Sequence, residues 1–313
     1  MLYHSFPDLQ WLKTQAESRF SNGTAWNGQK LLQSGWPTVI LNVKAGETFR
    51  DNIPGPLSLF STSKGQSFVT VEGKRTLISD DYFYITNASQ RYTLEIGKHE
   101  PSEIFNIHFG EKWAEEILLS IHSKTESLLD DPDQSSGVPV LFYNKLFYKD
   151  KRIQSLQKEL LLTKDEGDLR QNELLFSLMI HLLDHQKLLV RHSLTIPVIK
   201  VATREEILKR LFLSTDYICS FYDQSLSLEE LAKISCLSKF HFLRLFRHVF
   251  GKTPHQFITD IRIDKAMKLL SNPQTEIKQV AKQVGFQNAS TFSRLFYNRL
   301  KIYPSQFRNS LQV

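Results

Sequence analysis

The chain has 313 residues, 41% hydrophobic and 23% charged, a balance that fits two globular domains, each large enough for its own core. No run of eighteen apolar residues is present, so no membrane span is expected, and the opening MLYHSFPDLQWLK lacks the basic start and apolar core of a secretory signal. The two cysteines, Cys219 and Cys236, are too few for a disulfide scaffold and lack ligand-spaced partners, so both are expected as free, mostly buried thiols in a reducing cytoplasm.

The first part of the chain reads as β-rich. Alternating apolar runs occupy 38–44, 67–71, 76–78, 82–86, 92–96 and 103–109, punctuated by Gly46, Pro54-Gly55-Pro56, Lys64-Gly65 and Glu72-Gly73-Lys74. Short strands with such punctuation suggest a small barrel or jelly roll, and Glu72-Gly73-Lys74 suggests a hairpin within it. From Glu111 the period becomes helical, with Trp113, Ile117, Leu118 and Ile121 on one stripe. A polar loop at 130–139 and a short apolar run from Val140 to Phe147 follow.

Two helices are expected next, over 151–164 and 168–191. Their stripes are Ile153, Leu156 and Leu160, then Leu175, Leu178, Leu182 and Leu189. Stripes of this width pack either on a helix of a second subunit or on the protein's own barrel. Residues 192–203 contain Pro197 and no helical pattern, and read as a linker between domains at 1–191 and 204–313.

Charge divides at the same place. Residues 204–313 carry 17 Lys+Arg against 9 Asp+Glu, whereas residues 1–203 carry 22 against 24. No acid lies between Glu230 and Asp260, and none follows Glu276. Excluding acids from two long basic segments is what a polyanion partner requires.

The same segments are copies of one another. Phe242, Arg244, Leu245 and Phe246 match Phe292, Arg294, Leu295 and Phe296 at an offset of 50, as Pro254, Gln256 and Phe257 match Pro304, Gln306 and Phe307. Leu231-Ala232-Lys233 matches Val280-Ala281-Lys282 at an offset of 49, so one residue is gained in the turn. Each copy has the form of a helix-turn-helix. In the first, Ser227 and Glu230 form a capping box, Ser235-Cys236-Leu237 is the turn and Ser238 caps the second helix. In the second, Val284-Gly285-Phe286 is the turn and Asn288 the cap. Ala232 and Ala281 let the second helix cross closely, and Gly285 supplies a flexible turn. An amphipathic helix, Pro254 to Leu270, joins the copies.

On the helix after Ser238, Phe242, Leu245, Phe246 and Val249 face inward, leaving Lys239, Phe240, Leu243, Arg244 and Arg247 on the other side. On the helix after Asn288, Phe292, Leu295 and Phe296 face inward, leaving Ala289, Ser290, Thr291 and Arg294 outside. Reading helices contact base edges through their N-terminal turns. Arg suits guanine, while Ser and Thr serve several bases or a thymine methyl.

At these residues the chain resembles the AraC/XylS family of bacterial transcription regulators. The matching stretches are SLEELAKISCLSKFHFLRLFRHVFGKTPHQFI, IRIDKAMKLLSNP and EIKQVAKQVGFQNASTFSRLFYNRLKIYPSQFR, about residues 205–308. The resemblance implies a seven-helix domain whose two reading helices enter successive major grooves on one face of double-stranded DNA. Base-contacting positions would fall on Phe240, Leu243, Arg244 and Arg247, and on Ser290, Thr291 and Arg294. Arg262 would be a scaffold residue pairing with Asp264 or Asp260. Lys301 stands where the first copy has Gly251 and the family usually has glycine, so the second reading helix is expected to end differently.

For the remainder, the resemblance is to the family's cupin-like sensor and dimerisation domain. The fold class expected is therefore multidomain α+β: an N-terminal cupin-like β-barrel with a helical hairpin, and a C-terminal all-α domain with two helix-turn-helix units. A sugar or other metabolite would be the effector, and RNA polymerase and a second copy of the chain would be partners, in the cytoplasm. His99, Glu103 and His108 are the nearest candidates for a cupin metal site but do not form its cluster, so no metal or other cofactor is expected. His108 reads as a satisfied histidine or a ligand contact, and Arg91-Tyr92 as reaching the barrel mouth or lying in an exposed turn. Two further readings are a metal-dependent cupin enzyme fused to a DNA-binding module, and a regulator whose first domain only dimerises.

Overall fold

The computed structural model describes residues 2–20, 36–98, 101–110, 113, 117, 141–163, 169–194, 196 and 201–311. His99, the expected loop at 130–139, Val140 and all but Trp113 and Ile117 of the helical stripe after Glu111 lie outside the described residues. The chain divides into two compact units, Met1–Val190 and Arg191–Val313.

The first unit begins with β1 (Leu2–Tyr3) and α1 (Leu9–Phe20), followed by β2 (Val39–Ala45), β3 (Thr48–Pro54), β4 (Ser58–Lys64), β5 (Ser67–Val71) and β6 (Lys74–Ile78). It continues with β7 (Tyr82–Thr86), β8 (Arg91–Ile96), β9 (Ser102–His108), β10 (Leu146–Tyr148), α2 (Lys151–Leu161) and α3 (Leu169–Leu194). The strands do not close into one barrel. They form a six-stranded sheet in the order β1-β2-β9-β4-β7-β10 and a four-stranded sheet in the order β3-β8-β5-β6. The expected hairpin is present: Val71 pairs with Lys74, and Glu72 and Gly73 both take positive φ, 51° and 76°, the requirement of a tight primed turn.

Both faces of the six-stranded sheet are covered. Odd positions on β4, β7 and β9 (Leu59, Phe83, Ile85, Phe105 and Ile107), with Ile40 of β2, share one core with Ile153, Leu156 and Leu160 of α2 and Leu175, Leu178 and Leu182 of α3. The hairpin α2–α3 therefore spends its apolar stripes on the protein's own sheet. The alternate positions, including Leu41, Phe60, Asn106 and His108, face a cavity. Burial on both faces explains why β4, SLFSTSK, carries no readable alternation. In β3 the register shifts between Arg50 and Ile53, where Asn52 takes a φ of 50°, which breaks the period there too.

The second unit is helical: α4 (Val201–Phe221), α5 (Leu228–Ile234), α6 (Lys239–Phe250), α7 (Pro254–Leu270), α8 (Ile277–Gln283), α9 (Ala289–Leu300) and α10 (Pro304–Ser310). In the range read as a linker, α3 continues to Leu194 and α4 starts at Val201. No described helix is long and apolar enough to cross a membrane. The duplication extends to ring geometry. Phe242 and Phe246 meet at a tilt with centroids 5.4 Å apart, Phe292 and Phe296 likewise at 5.5 Å, and Phe246–Phe257 and Phe296–Phe307 each lie at 5.6 Å.

The two reading helices end alike, contrary to expectation. Gly251 caps α6 at φ 69° and Lys301 caps α9 at φ 61°, each donating its N–H four residues back. Lys301 adopts the left-handed geometry because the fold needs that reversal before Pro304, at a cost a glycine would not carry. Lys301→Gly is expected to raise stability by about 1 kcal/mol in denaturant melts. Gly285→Ala is expected to lower it by more than that, since φ is 88° and the added Cβ would lie 2.5 Å from the Asp223 carbonyl oxygen.

Candidate nucleic-acid interface and an enclosed cavity

The turn in each helix-turn-helix is built by the backbone. Cys236 takes a φ of 50° and Gly285, 49 residues on, a φ of 88°. In both, the next residue then donates back to the small alanine of the first helix: Leu237 N–H to Ala232 O at 3.0 Å and Phe286 N–H to Ala281 O at 2.9 Å. The left-handed residue corresponds to the C′ position of a helix end. Cys236 is exposed rather than buried because it sits at the apex of this turn, whereas Cys219 is buried; neither forms a disulfide. The capping box of Ser227 and Glu230 forms as expected. Asn288 Oδ1 accepts the Thr291 N–H at 2.8 Å. Ser238 stands at the N-cap of α6, but its hydroxyl makes no capping bond. The first-turn N–H groups there carry no side-chain cap, an arrangement suited to a phosphate.

On α6, Phe242, Leu245, Phe246 and Val249 are buried, as the pattern requires. Lys239, Phe240, Arg244 and Arg247 are exposed and Leu243 is half-buried. Phe240 is 84% exposed, the largest value among the exposed apolar side chains. On α9, Phe292 and Phe296 are buried, and Ser290 and Arg294 are exposed. Thr291 is half-buried, and Ala289, half-buried, packs against the core of the second copy.

The cations sort into two groups. Arg262 is a scaffold residue, but not through the acids expected. Its Nε donates to Tyr222 O and its Nη2 to Gln224 O, both at 2.7 Å, and its guanidinium lies over the Phe286 ring. Asp260 and Asp264 are instead engaged by Arg299 of α9, with Lys252 also on Asp260. Arg262 points toward the segment after α4, where carbonyls following a helix end accept its fork. Lys239 pairs with Glu229 of α5. Arg244, Arg247 and Arg294 have no ion-pair partner among the described residues.

The first unit encloses a cavity of about 610 Å³. Phe6, Trp11, Leu12, Trp36, Leu41 and Phe60 give it a largely apolar wall, into which Arg50, Tyr92, Asn106 and His108 bring polar groups. Tyr92 thus reaches the cavity, but Arg91, next to it, is on the opposite face of β8. There it makes a bidentate pair with Glu17 of α1, both bonds at 2.8 Å. Glu103 is half-buried and does not line the cavity with His108.

The polar groups are unequally satisfied. Arg50 donates to Pro7 O at 2.9 Å and lies over Phe6; among the described residues it has no ion pair. Asn106 Oδ1 accepts from Ser61 N–H, while its Nδ2, fully buried, has no hydrogen-bond partner among the described residues. Ser58 Oγ donates to Pro56 O at 2.8 Å, so the 2.8 Å contact with His108 Nδ1 requires that nitrogen to carry the hydrogen. Burial, with a smaller contribution from Arg50, pushes the His108 pKa down to about 4. The imidazole is therefore neutral near pH 7, with Nε2 left as an acceptor. Burial also pushes the Tyr92 phenol upward, keeping it protonated. Arg50 and Asn106 were not visible as site residues in the sequence, because β3 shows no strand period and an Asn within an apolar strand carries no ligand signature.

Comparison with known proteins locates one conserved module. Residues 231–310 match the family model described as Helix-turn-helix domain. An uncharacterized HTH-type transcriptional regulator of Haemophilus influenzae is 33% identical over 86 residues, 28% of this chain and 29% of its own. The MmsAB operon regulatory protein of Pseudomonas aeruginosa is 34% identical over 87 residues, 28% of each chain. The lactose operon transcription activator of Staphylococcus xylosus is 28% identical over 100 residues, 32% of this chain and 36% of its own. The matches therefore span about a third of the length of these relatives. Among solved structures, the DNA-binding domain of AdpA in complex with a target DNA aligns with 33% of this chain and 93% of its own, at 23% identity and a TM-score of 0.32.

The His108 shift fixes a pH response. Below its ordinary value of 6.5 the unfolded chain takes up a proton that the native imidazole refuses until about pH 4. Stability should thus fall as pH drops through that window, by up to about 3 kcal/mol for the full shift. His108→Gln, which keeps a donor toward Ser58 Oγ, should flatten the melting-temperature profile between pH 6.5 and 4. An unchanged profile would show that His108 does not titrate this way.

Proposed function

Residues 231–310 are a helix-turn-helix domain of the AraC type, and from that premise we propose that the chain is a sequence-specific regulator of transcription controlled by a small molecule. The observation that carries the DNA-binding part is the duplication of one reading surface. Two helices of twelve residues, each entered through the same left-handed turn, present Arg244 and Arg247 on one copy and Arg294 on the other. In this reading Arg244 and Arg294 contact base edges, with Leu243, Ser290 and Thr291 beside them. Lys239, Arg247 and the open N-terminus of α6 hold phosphates, and Ala289 is a spacer. Exposed Phe240 packs on a thymine methyl or a sugar. We read the output as activation, in keeping with the name of the Staphylococcus xylosus relative. The cytoplasm, a second copy of the chain and RNA polymerase belong to the same reading and rest on the family resemblance.

The cavity supports an effector site in a cupin-like first domain rather than a domain that only dimerises. Its volume fits a small ligand, and Arg50, with no ion pair among the described residues, and Asn106 Nδ2, with no hydrogen-bond partner among them, stand in an apolar wall. That lining favours an apolar molecule with one accepting head over a sugar, which would need a polar partner for each hydroxyl. Tyr92 and His108 would complete the head-group site. A regulatory role is preferred to an enzymatic one because the matched relatives are named as regulators.

Arg244→Ala and Arg294→Ala should each weaken binding to a mapped genomic site by about 1–3 kcal/mol while leaving the melting temperature unchanged. Retention of full affinity and sequence preference by both variants would refute the assignment. For the cavity, a thermal-shift series of apolar carboxylates and of sugars should stabilise the chain with the former only, and Arg50→Gln should remove the shift. Stabilisation by sugars alone would reverse the choice of ligand.

A further inference from the structure

Apart from the cavity lining of the first unit, three metal-ligating side chains meet between the start of α2 and the middle of α3. His181 Nε2 lies 2.7 Å from Asp150 Oδ2, and His185 Nε2 lies 3.3 Å from the same oxygen. The ligand atoms of all three residues fall within 4.8 Å of one another. We propose that Asp150, His181 and His185 form a binding site for one zinc-class dication.

The site is prepared from two sides. His181 and His185 stand one turn apart on the same face of α3, so both rings project in one direction, 4.7 Å apart. Asp150 is held from the other side by its role as N-cap of α2. Its Oδ1 accepts the Ile153 N–H at 2.9 Å, which fixes the carboxylate plane and turns Oδ2 toward the imidazoles. A tetrahedral zinc site with arms of about 2.0–2.1 Å has ligand atoms about 3.3 Å apart. The 3.3 Å separation already matches, and the 2.7 Å one needs to widen by a few tenths of an ångström. Two imidazoles and one carboxylate select zinc, nickel, cobalt or copper over magnesium and calcium, which prefer all-oxygen sets. Three protein ligands leave the fourth position to water. Lys145, whose charge bears on His185, directs its Nζ at Leu146 O and over the Phe147 ring.

A bound ion would tie the β10–α2 junction to α3, and so fix the hairpin that covers one face of the six-stranded sheet. It would stabilise the first unit through residues that do not line the cavity. The site is separate from the His99, Glu103 and His108 positions of the cupin pattern, and its sequence signal is the i, i+4 histidine pair.

The test uses the full chain stripped with chelator and titrated with ZnCl₂, then with CoCl₂. One equivalent of zinc should bind at micromolar concentration or tighter and raise the melting temperature by several degrees. Cobalt should give visible d–d bands without a thiolate charge-transfer band. Asp150→Asn keeps a capping oxygen but loses the charge, and should weaken zinc binding at least about tenfold, as should His185→Gln. No stoichiometric binding, binding unchanged in both variants, or a cobalt–thiolate band would each overturn the proposal. A melting temperature unmoved by zinc would do so as well, leaving the cluster as a hydrogen-bonded His–Asp group.

Discussion

The reading surface depends on one backbone reversal, made twice. A residue in the left-handed region ends the first helix of each unit, and the residue after it hydrogen-bonds back to a small alanine. That bond sets the direction in which the chain leaves the turn, and so the direction of the reading helix. The two copies meet the requirement differently. Gly285 has its Cα packed against the Asp223 backbone, with no room for a side chain, so only glycine fits. Cys236 carries a side chain in the same conformation because its position is exposed. A left-handed non-glycine residue costs about 1–2 kcal/mol, which the surrounding helix packing offsets. The constraint is on the backbone path, and the residue follows from the local space.

A second constraint organises the first unit. A sheet covered on both faces must be apolar at odd and even positions alike, apart from groups that serve a purpose. On β9 the even positions carry Asn106 and His108, between odd positions filled by Phe105 and Ile107. A core needing only stability would have aliphatic residues there. The unsatisfied Asn106 Nδ2 costs folding free energy in the absence of a partner, which is the physical reason for regarding that face as a binding wall.

These constraints decide what was readable beforehand. The duplication, both turns, the buried stripes of α6 and α9 and most strands lay in the linear pattern, because each depends on short-range spacing. Strands β3 and β4 did not, since burial on both faces removes the alternation in β4 and a bulge interrupts it in β3. Closure was also illegible. The same alternating runs serve one barrel or two sheets, and strand order depends on partners distant in sequence. Arg262 illustrates the limit for side chains. Its scaffold role was readable, but choosing between acids two residues away on the same helix and carbonyls at Tyr222 and Gln224 requires the direction of α7 against α4.

The arginines of the second unit acquire different roles from their neighbours alone. Arg299 and Lys252 neutralise Asp260 and Asp264, and Arg262 is spent on carbonyls, so these cations brace the joining helix. Acids were kept out of the segments around Arg244, Arg247 and Arg294, and those three remain unpaired among the described residues. Lys239 is intermediate, since a solvent-exposed pair with Glu229 is worth at most about 1 kcal/mol and yields readily to a phosphate. On the reading helices, Lys239, Arg244 and Arg247 of α6 and Arg294 of α9 are the cations left outside the Asp260–Asp264 cluster, and α6 lacks a side-chain cap. On α9 only Arg294 stands so, while exposed Lys278, Lys282 and Lys301 of the second copy lie outside that helix, and Asn288 already occupies a first-turn N–H of α9. In the proposed DNA-bound state, the backbone attraction from the reading helices themselves comes mainly from α6, and α9 turns Ser290, Thr291 and Arg294 toward the bases.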